Sequence, residues 1–436
     1  MPKPSLSEAF LYWLKLGFTS FGGPAGQIAL MHQDLVHDKK WISEDRFLHA
    51  LNFCILLPGP EAQQLAIYMG WLLHKTIGGL IAGLLFILPA FFMLCGLAYV
   101  YMVYGELAYI QGFFFGVKPA IVALVLFAAY RMGAKTLKNQ WLVGIAFFSF
   151  FAILFFNTPF PIILLIAGLV GIMAHRFFLA SYQRGFQNSE TSANNAPEAS
   201  SKNQKYSHAN WMHTVKTLLI GCGVIIGSLT ALVVTFGLDH FLVKTAWFYT
   251  KAAFLTFGGA YAVLPYVFQG AVDHYHWITS QQMIDALALG ESTPGPLIMV
   301  ITFISFVSGW SHLALPTLTP LHSGLTVAFI ATLFTFLPSF LMIFLGAPVI
   351  EHTRNQRKLI APLTAITAAV VGLILNLGIT LANHTLWQVE ELTINWLSLT
   401  IAGLAFIALQ KYKMNTLLVI IASGLLGIVS TSSLLS

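Results

Sequence analysis

Phe18-Thr19-Ser20-Phe21-Gly22-Gly23-Pro24-Ala25 recurs 236 residues later as Phe254-Leu255-Thr256-Phe257-Gly258-Gly259-Ala260-Tyr261. The same offset carries Lys15 onto Lys251, Trp41-Ile42-Ser43 onto Trp277-Ile278-Thr279, and Pro58-Gly59-Pro60 onto Pro294-Gly295-Pro296. Landmarks held in one register over such a distance mark an internal repeat, so the chain reads as two homologous halves. Further on the register drifts: Gly70-Trp71 matches Gly309-Trp310 and Leu88-Pro89 matches Leu337-Pro338, because the second half inserts a proline-containing loop at 312–322. We assign residues 1–180 to the first repeat and 239–436 to the second. Residues 181–212, rich in Ser, Asn, Gln and Ala, read as a flexible cytoplasmic linker, and 213–238 as a linking transmembrane helix.

Composition sets the environment of both halves. Of 436 residues, 57% are hydrophobic and 9% charged, against about 25% charged in a soluble domain. No Asp, Glu, Lys or Arg occurs in 76–105, 139–175, 217–238, 292–350 or 359–389. Each run holds one or more spans of about 20 apolar residues, whereas a barrel would alternate in segments of about ten. The fold class is therefore an all-α polytopic membrane protein, without a cleavable signal peptide, and an ordinary cytosolic enzyme is excluded. A formal charge of +6 reports basic cytoplasmic loops rather than nucleic-acid binding. Cys54, Cys95 and Cys222 lie in apolar stretches, and neither they nor the scattered histidines show a metal-binding spacing, so no metal and no cofactor is expected. The segment 70–76 resembles a phosphate-binding loop but lacks the glycine before Lys75, and neither HExxH nor GxSxG occurs.

Loop charges give orientation. In the first half the connections near Lys75, at Arg131/Lys135/Lys138 and over 176–216 are basic, while those at 104–109 and 157–160 carry no Lys or Arg. In the second half the counterpart of the Glu106 loop is basic (Arg354, Arg357, Lys358) and that of the Arg131 loop is acidic (Glu390, Glu391). Lys and Arg favour the cytoplasmic side, so the second half is expected to be inverted, the linking helix supplying the extra crossing. Inverted repeats with discontinuous helices are the architecture of many secondary transporters.

Each half is expected to open with two broken segments, near 6–36 and 43–74 in the first, followed by spans near 77–103, 108–130, 141–157 and 160–176. Gly22-Gly23-Pro24 and Pro58-Gly59-Pro60 make the breaks, because glycine permits unusual dihedrals and proline suits a first helical turn. Re-entrant hairpins and kinked full spans both satisfy the parity. Broken backbone at membrane depth is tolerated only where protein or a wet cavity satisfies it, and the half-helix starting after each break presents free N–H groups to an anion. The expected substrate-binding residues are Ser20, Gly22, Gly23, Gly59, Gln63, Lys118, Thr256, Gly258, Gly259, Ser292, Thr293 and Gly295, with Gln27 and Gln64 as further neutral donors. The plainer alternative is that GG and PGP only kink tightly packed helices. Among intramembrane charges, Lys118, between Gly116-Val117 and Pro119, is the candidate cationic partner. Lys15 and Lys251 suit snorkelling to the interface. Glu61 and Glu291, flanking the two PGP turns, are the candidate coupling residues, although Glu61 could instead stabilise the first turn of its own half-helix.

Phe-Gly-Gly-Pro at 21–24, Leu-Pro-Gly-Pro-Glu-Ala-Gln-Gln-Leu at 57–65, Gly-Trp at 70–71 and Glu-Ser-Thr-Pro-Gly-Pro at 291–296 resemble the long-chain, two-domain chromate transporters of the chromate ion transporter family. The resemblance covers nearly all the chain outside the 181–212 linker, with one departure: the second GG lacks the proline present at Pro24. It implies efflux of chromate across a bacterial inner membrane and chromate resistance, with sulfate as the related tetrahedral oxyanion. A sulfate or other oxyanion transporter, a passive anion channel and a membrane-embedded chromate reductase are the alternatives, the last without any cofactor motif. Lipid is the expected surroundings, and an oligomer is compatible with the sequence.

Overall fold

The structure, a computed structural model, describes residues 4–177, 211–314, 317–350, 360–388 and 393–435. Nearly all of the 181–212 linker, and the charged loops at Arg354–Lys358 and Glu390–Glu391 that set the expected orientation of the second half, lie outside the described residues.

In the first half, α1 (Leu6–Thr19) is followed by α2 (Gly23–His32), which runs into a π turn (Gln33–Asp38). Then come α3 (Glu44–Leu56), α4 (Glu61–Tyr104), α5 (Ala108–Thr136), α6 (Gln140–Phe156) and α7 (Phe160–Phe177). α8 (Trp211–Phe236) leads into the second half, where α9 (Phe241–Leu255), a 3-10 turn (Ala260–Val263) and α10 (Leu264–Phe268) run into a second π turn (Gln269–His274). α11 (Ser280–Ser292), a 3-10 turn (Leu297–Met299), α12 (Val300–His312), α13 (Pro320–Ile350), α14 (Ile360–Leu386), α15 (Trp396–Gln410) and α16 (Thr416–Leu435) follow. A two-residue strand pair, Trp387–Gln388 with Thr393–Ile394, connects α14 to α15. The 236-residue offset survives at the level of elements: the first π turn maps onto the second and α3 onto α11, end for end.

Glu61–Tyr104, Ala108–Thr136, Val215–Phe236, Pro320–Ala347 and Ala361–Leu386 are long and apolar enough to cross a membrane, as a multi-pass helical membrane protein requires. α4 is two helices in line of sequence, parted at His74 and Lys75, where Lys75 has φ 55°. This is where the sequence places the end of the second broken segment. α5 continues to Thr136, beyond the expected end near 130, so Arg131 and Lys135 stand on its last turns rather than in a loop. Helix-favouring Ala128, Ala129 and Ala134 carry the helix on, and cations at its C-terminus complement the helix dipole.

Aromatic contacts show the path of the broken segments. Tyr12 on α1 touches Trp41 beyond the first π turn, with ring centroids 5.5 Å apart. A straight path would separate them by more than about 40 Å, so the chain doubles back at Ser20–Gly22. Phe248 and Trp277, their equivalents in the second half, lie 5.3 Å apart. Phe53 and Tyr68, on either side of Pro58-Gly59-Pro60, lie 6.1 Å apart. One continuous apolar core draws on both halves, including Trp13, Phe47, Tyr68, Phe248, Phe303 and Phe336.

Candidate functional site

All six break glycines have positive φ: 90° at Gly22, 70° at Gly23, 129° at Gly59, 84° at Gly258, 102° at Gly259 and 99° at Gly295. L side chains rarely adopt such dihedrals, which makes glycine the fitting residue at each turn-back. The half-helices that follow differ between the repeats. α2 and α4 start directly as α-helices with no side-chain cap, leaving their first N–H groups without a capping partner. In the second half both start as 3-10 turns. Regular α-helix resumes at Leu264, with Pro265 in its first turn, a position proline tolerates because its missing N–H is not needed there.

The four turn-backs meet in two reciprocal pairs. Gly59 N–H donates to the Thr256 carbonyl at 2.7 Å, and Gly295 N–H donates to the Ser20 carbonyl at 3.0 Å. Each glycine of a PGP turn therefore binds the GG turn of the other half, and its N–H is committed to that contact. Gln27 Nε2 reinforces one junction, donating to the Ser20 carbonyl at 3.1 Å and the Gly295 carbonyl at 2.5 Å. Gln64 Nε2 donates to the Pro58 carbonyl at 2.7 Å in the other turn.

Several expected donors are already spent. The hydroxyls of Thr256, Ser292 and Thr293 donate to the carbonyls of Ala252, Leu289 and Gly290. What remains is a set of buried polar atoms without a hydrogen-bond partner among the described residues: Ser20 Oγ, both amide atoms of Gln63, and the accepting oxygens of Gln27 and Gln64. Ser20 and Gln63 are fully buried. Leaving such groups unpaired costs about 1–3 kcal/mol each, so a polar occupant is the physical expectation here.

Two cavities flank this centre along α5. One, of about 970 Å³, is lined by Glu61, Arg131, Lys135, Gly258, Gly259 and Tyr261 among others. The other, of about 640 Å³, is lined by Tyr101, Glu106, Lys118, Gln281, Asp285 and His384 among others. Lys118 and Arg131 are about 20 Å apart along the helix, so the cavities lie at its opposite ends. In the first, Lys135 acts electrostatically on Glu61, whose Oε1 faces Gly259. Glu291 accepts a hydrogen bond from Tyr261 and feels Arg131.

Lys118 does not stand alone as a cationic partner. Its Nζ lies 3.7 Å from Asp285 Oδ1, and Tyr101 donates to Asp285 Oδ2 at 2.9 Å. Asp285 offsets its charge inside the second cavity, away from the turn-backs. Lys15 is exposed on α1, and Lys251 lies over the Trp247 ring at 5.7 Å. Sequence reasoning missed Asp285, although it is the acidic residue six positions before Glu291. It also read Arg131 and Lys135 only as loop charges, whereas they line a cavity reaching the GG turn.

Residues 7–172 and 243–428 match the family model described as Chromate transporter. The chain belongs to the chromate transporter family. Relatives within it include the chromate transport protein of Pseudomonas aeruginosa, 33% identical over 98% of this chain and 92% of that protein. The chromate transport protein of Cupriavidus metallidurans is 27% identical over 98% of this chain and 94% of its own. An uncharacterized transporter of Bacillus subtilis is 35% identical over 31% of this chain but 69% of its own length. No solved structure matches the chain. This is a transporter family, not an enzyme family, and the two matched segments bracket the interval that holds the linker and the whole of α8.

Proposed function

We propose that the protein exports chromate across the bacterial inner membrane and so confers chromate resistance, by alternating access at the junction of the four turn-backs. The observation that carries this reading is the reciprocal pair of contacts, Gly59 to Thr256 and Gly295 to Ser20, with unpaired buried donors beside it and a cavity on either side. Each broken segment is a re-entrant hairpin with GG or PGP at its tip. The halves are inverted repeats, one at 1–180 and the other at 239–436. In support, the bases of the first two hairpins lie where His74 binds the Pro4 carbonyl at 3.0 Å. Those of the other two lie where Gln281 binds the His384 carbonyl at 3.1 Å, and the second part of α4 runs from the former base to the rim of the Lys118 cavity at Tyr101.

By the positive-inside preference, the cavity lined by Arg131 and Lys135 faces the cytoplasm. Cations at its walls raise the local concentration of a dianion. The anion then meets the free N–H groups of α2 and α4, each contributing up to about 2 kcal/mol, together with Ser20 and Gln63. Glu61 and Glu291, facing Lys135 and Tyr261, are the groups placed to carry a coupling proton. Export of a dianion from an inside-negative cell is downhill by about 2.3 kcal/mol per charge per 100 mV. Sulfate, with the same charge and shape, competes for the site.

The test is uptake of labelled chromate into inside-out vesicles, with and without excess sulfate. Saturable accumulation, reduced by sulfate, is the expected result. Movement of labelled sulfate without any of chromate would overturn the substrate, and linear, non-saturating flux would replace the transporter with a channel.

A further inference from the structure

We propose that His32, His37 and Glu44 form a surface site for one divalent transition-metal ion of the zinc type, tying the foot of α2 to the first turn of α3. Their ligand atoms all lie within 4.8 Å of one another. His32 Nε2 sits 2.9 Å from both carboxylate oxygens of Glu44, and the two imidazole rings are 4.9 Å apart. Two atoms bound to one tetrahedral zinc ion at about 2.0–2.1 Å are about 3.3 Å apart. The His32–Glu44 spacing needs only a few tenths of an ångström of adjustment to admit the ion.

The local fold makes this cluster. Residues five apart on an α-helix point about 140° away from each other, which would hold His32 and His37 on different faces. The π turn Gln33–Asp38 closes i to i+5 instead, bringing the two rings edge to face on one side. Phe47, buried on α3, packs its edge 4.9 Å from the His32 ring and fixes that ligand. Trp41 and Lys39, in the connecting turn, are held by the Lys39 ammonium lying 4.8 Å over the Trp41 ring.

Two imidazoles and a carboxylate are a zinc ligand set with a fourth position open to water. The exposure of His37 and Glu44 leaves that position reachable from solvent. The second repeat keeps the π turn but has Phe268, Asp273 and Ser280 at the equivalent positions. The π turn is thus a feature of the repeat, whereas the ligand set belongs to the first half alone. A bound ion would join the first hairpin to the second, a link with no counterpart in the other half.

The experiment uses full-length protein in detergent, with any affinity tag removed, equilibrated with Zn²⁺ and assayed for retained metal, with Co²⁺ as the optical probe. The expected result is one Zn²⁺ per chain and a visible d–d band with Co²⁺. Glu44→Gln and the double change His32→Gln/His37→Gln should each lower affinity at least tenfold, while His322→Gln, remote from the cluster, leaves it unchanged. Should the double variant lose its fold, Glu44→Gln on an exposed side chain carries the test. Failure to retain Zn²⁺, or equal retention by wild type and Glu44→Gln, would overturn the site and leave His32–Glu44 as a plain ion pair.

Discussion

Gly59 N–H binds the Thr256 carbonyl at 2.7 Å, joining the PGP turn of one repeat to the GG turn of the other, and Gly295 and Ser20 repeat the contact at 3.0 Å with the halves exchanged. Residues 59 and 295, like 20 and 256, are equivalent under the 236-residue offset, so the two contacts are one interaction used twice. A rearrangement that separates the halves at these turns must break both.

Gly59 has no room for a side chain. A Cβ there would lie 2.7 Å from Ser339 Oγ and strike the Gln64 amide, at φ 129°. Gly59→Ala should destabilise the protein by about 1–3 kcal/mol and abolish chromate uptake, measured as a fall in melting temperature and in vesicle accumulation. Gly295→Ala, whose Cβ would lie 2.8 Å from that of Ala90, should behave alike.

Gln63 separates structure from function. Its amide is fully buried and unpartnered among the described residues, so replacement by an apolar group of similar shape should leave stability unchanged or raise it. Gln63→Met should therefore keep or raise the melting temperature while cutting the rate of uptake at least tenfold. Unchanged transport would place the anion elsewhere.

Lys118 and Asp285 predict a different pattern. Asp285 is buried and Lys118 half-buried, so removing one partner costs up to about 3–5 kcal/mol, the figure for a fully buried pair, because the other charge is left uncompensated. Lys118→Ala should be destabilising, and adding Asp285→Asn should restore part of the loss, with a coupling of about 0.5–3 kcal/mol in a double-mutant cycle. The readout is chemical or thermal unfolding of the four proteins in detergent.

Arg131 and Lys135 line the larger cavity, and in the proposed function they attract the anion at long range. Arg131→Gln and Lys135→Gln should raise KM for chromate with little change in kcat, and flatten the dependence of uptake on ionic strength, since steering is screened over about 10 Å at 0.1 M salt. The measurement is initial uptake rate across a salt series.

Much of this was legible in the chain. Glycine at 22, 23, 59, 258, 259 and 295 announces positive φ because few other residues tolerate it, and all six adopt it. Charge-free runs announce membrane helices because an unpaired charge in hydrocarbon is too costly to occur by accident. The repeat is legible because two copies of one fold need the same turns at the same spacing. Lys118 illustrates the limit: its isolation in an apolar span marked it as special, but the partner that offsets its charge, Asp285, lies 167 residues away in sequence.

The sequence by itself determined the all-helical membrane class, the two repeats and the positions of the four breaks, all of which follow from local backbone sterics and from the cost of placing charge in lipid. Only the tertiary structure decided which turn meets which. It committed the glycine N–H groups of the PGP turns to the opposite half, left the Ser20 hydroxyl and the Gln63 amide without partners among the described residues, and turned the cations at the end of α5 into the wall of a cavity. Those outcomes depend on contacts between segments more than a hundred residues apart. No local preference encodes such contacts; they arise when both halves bury their apolar faces in one core.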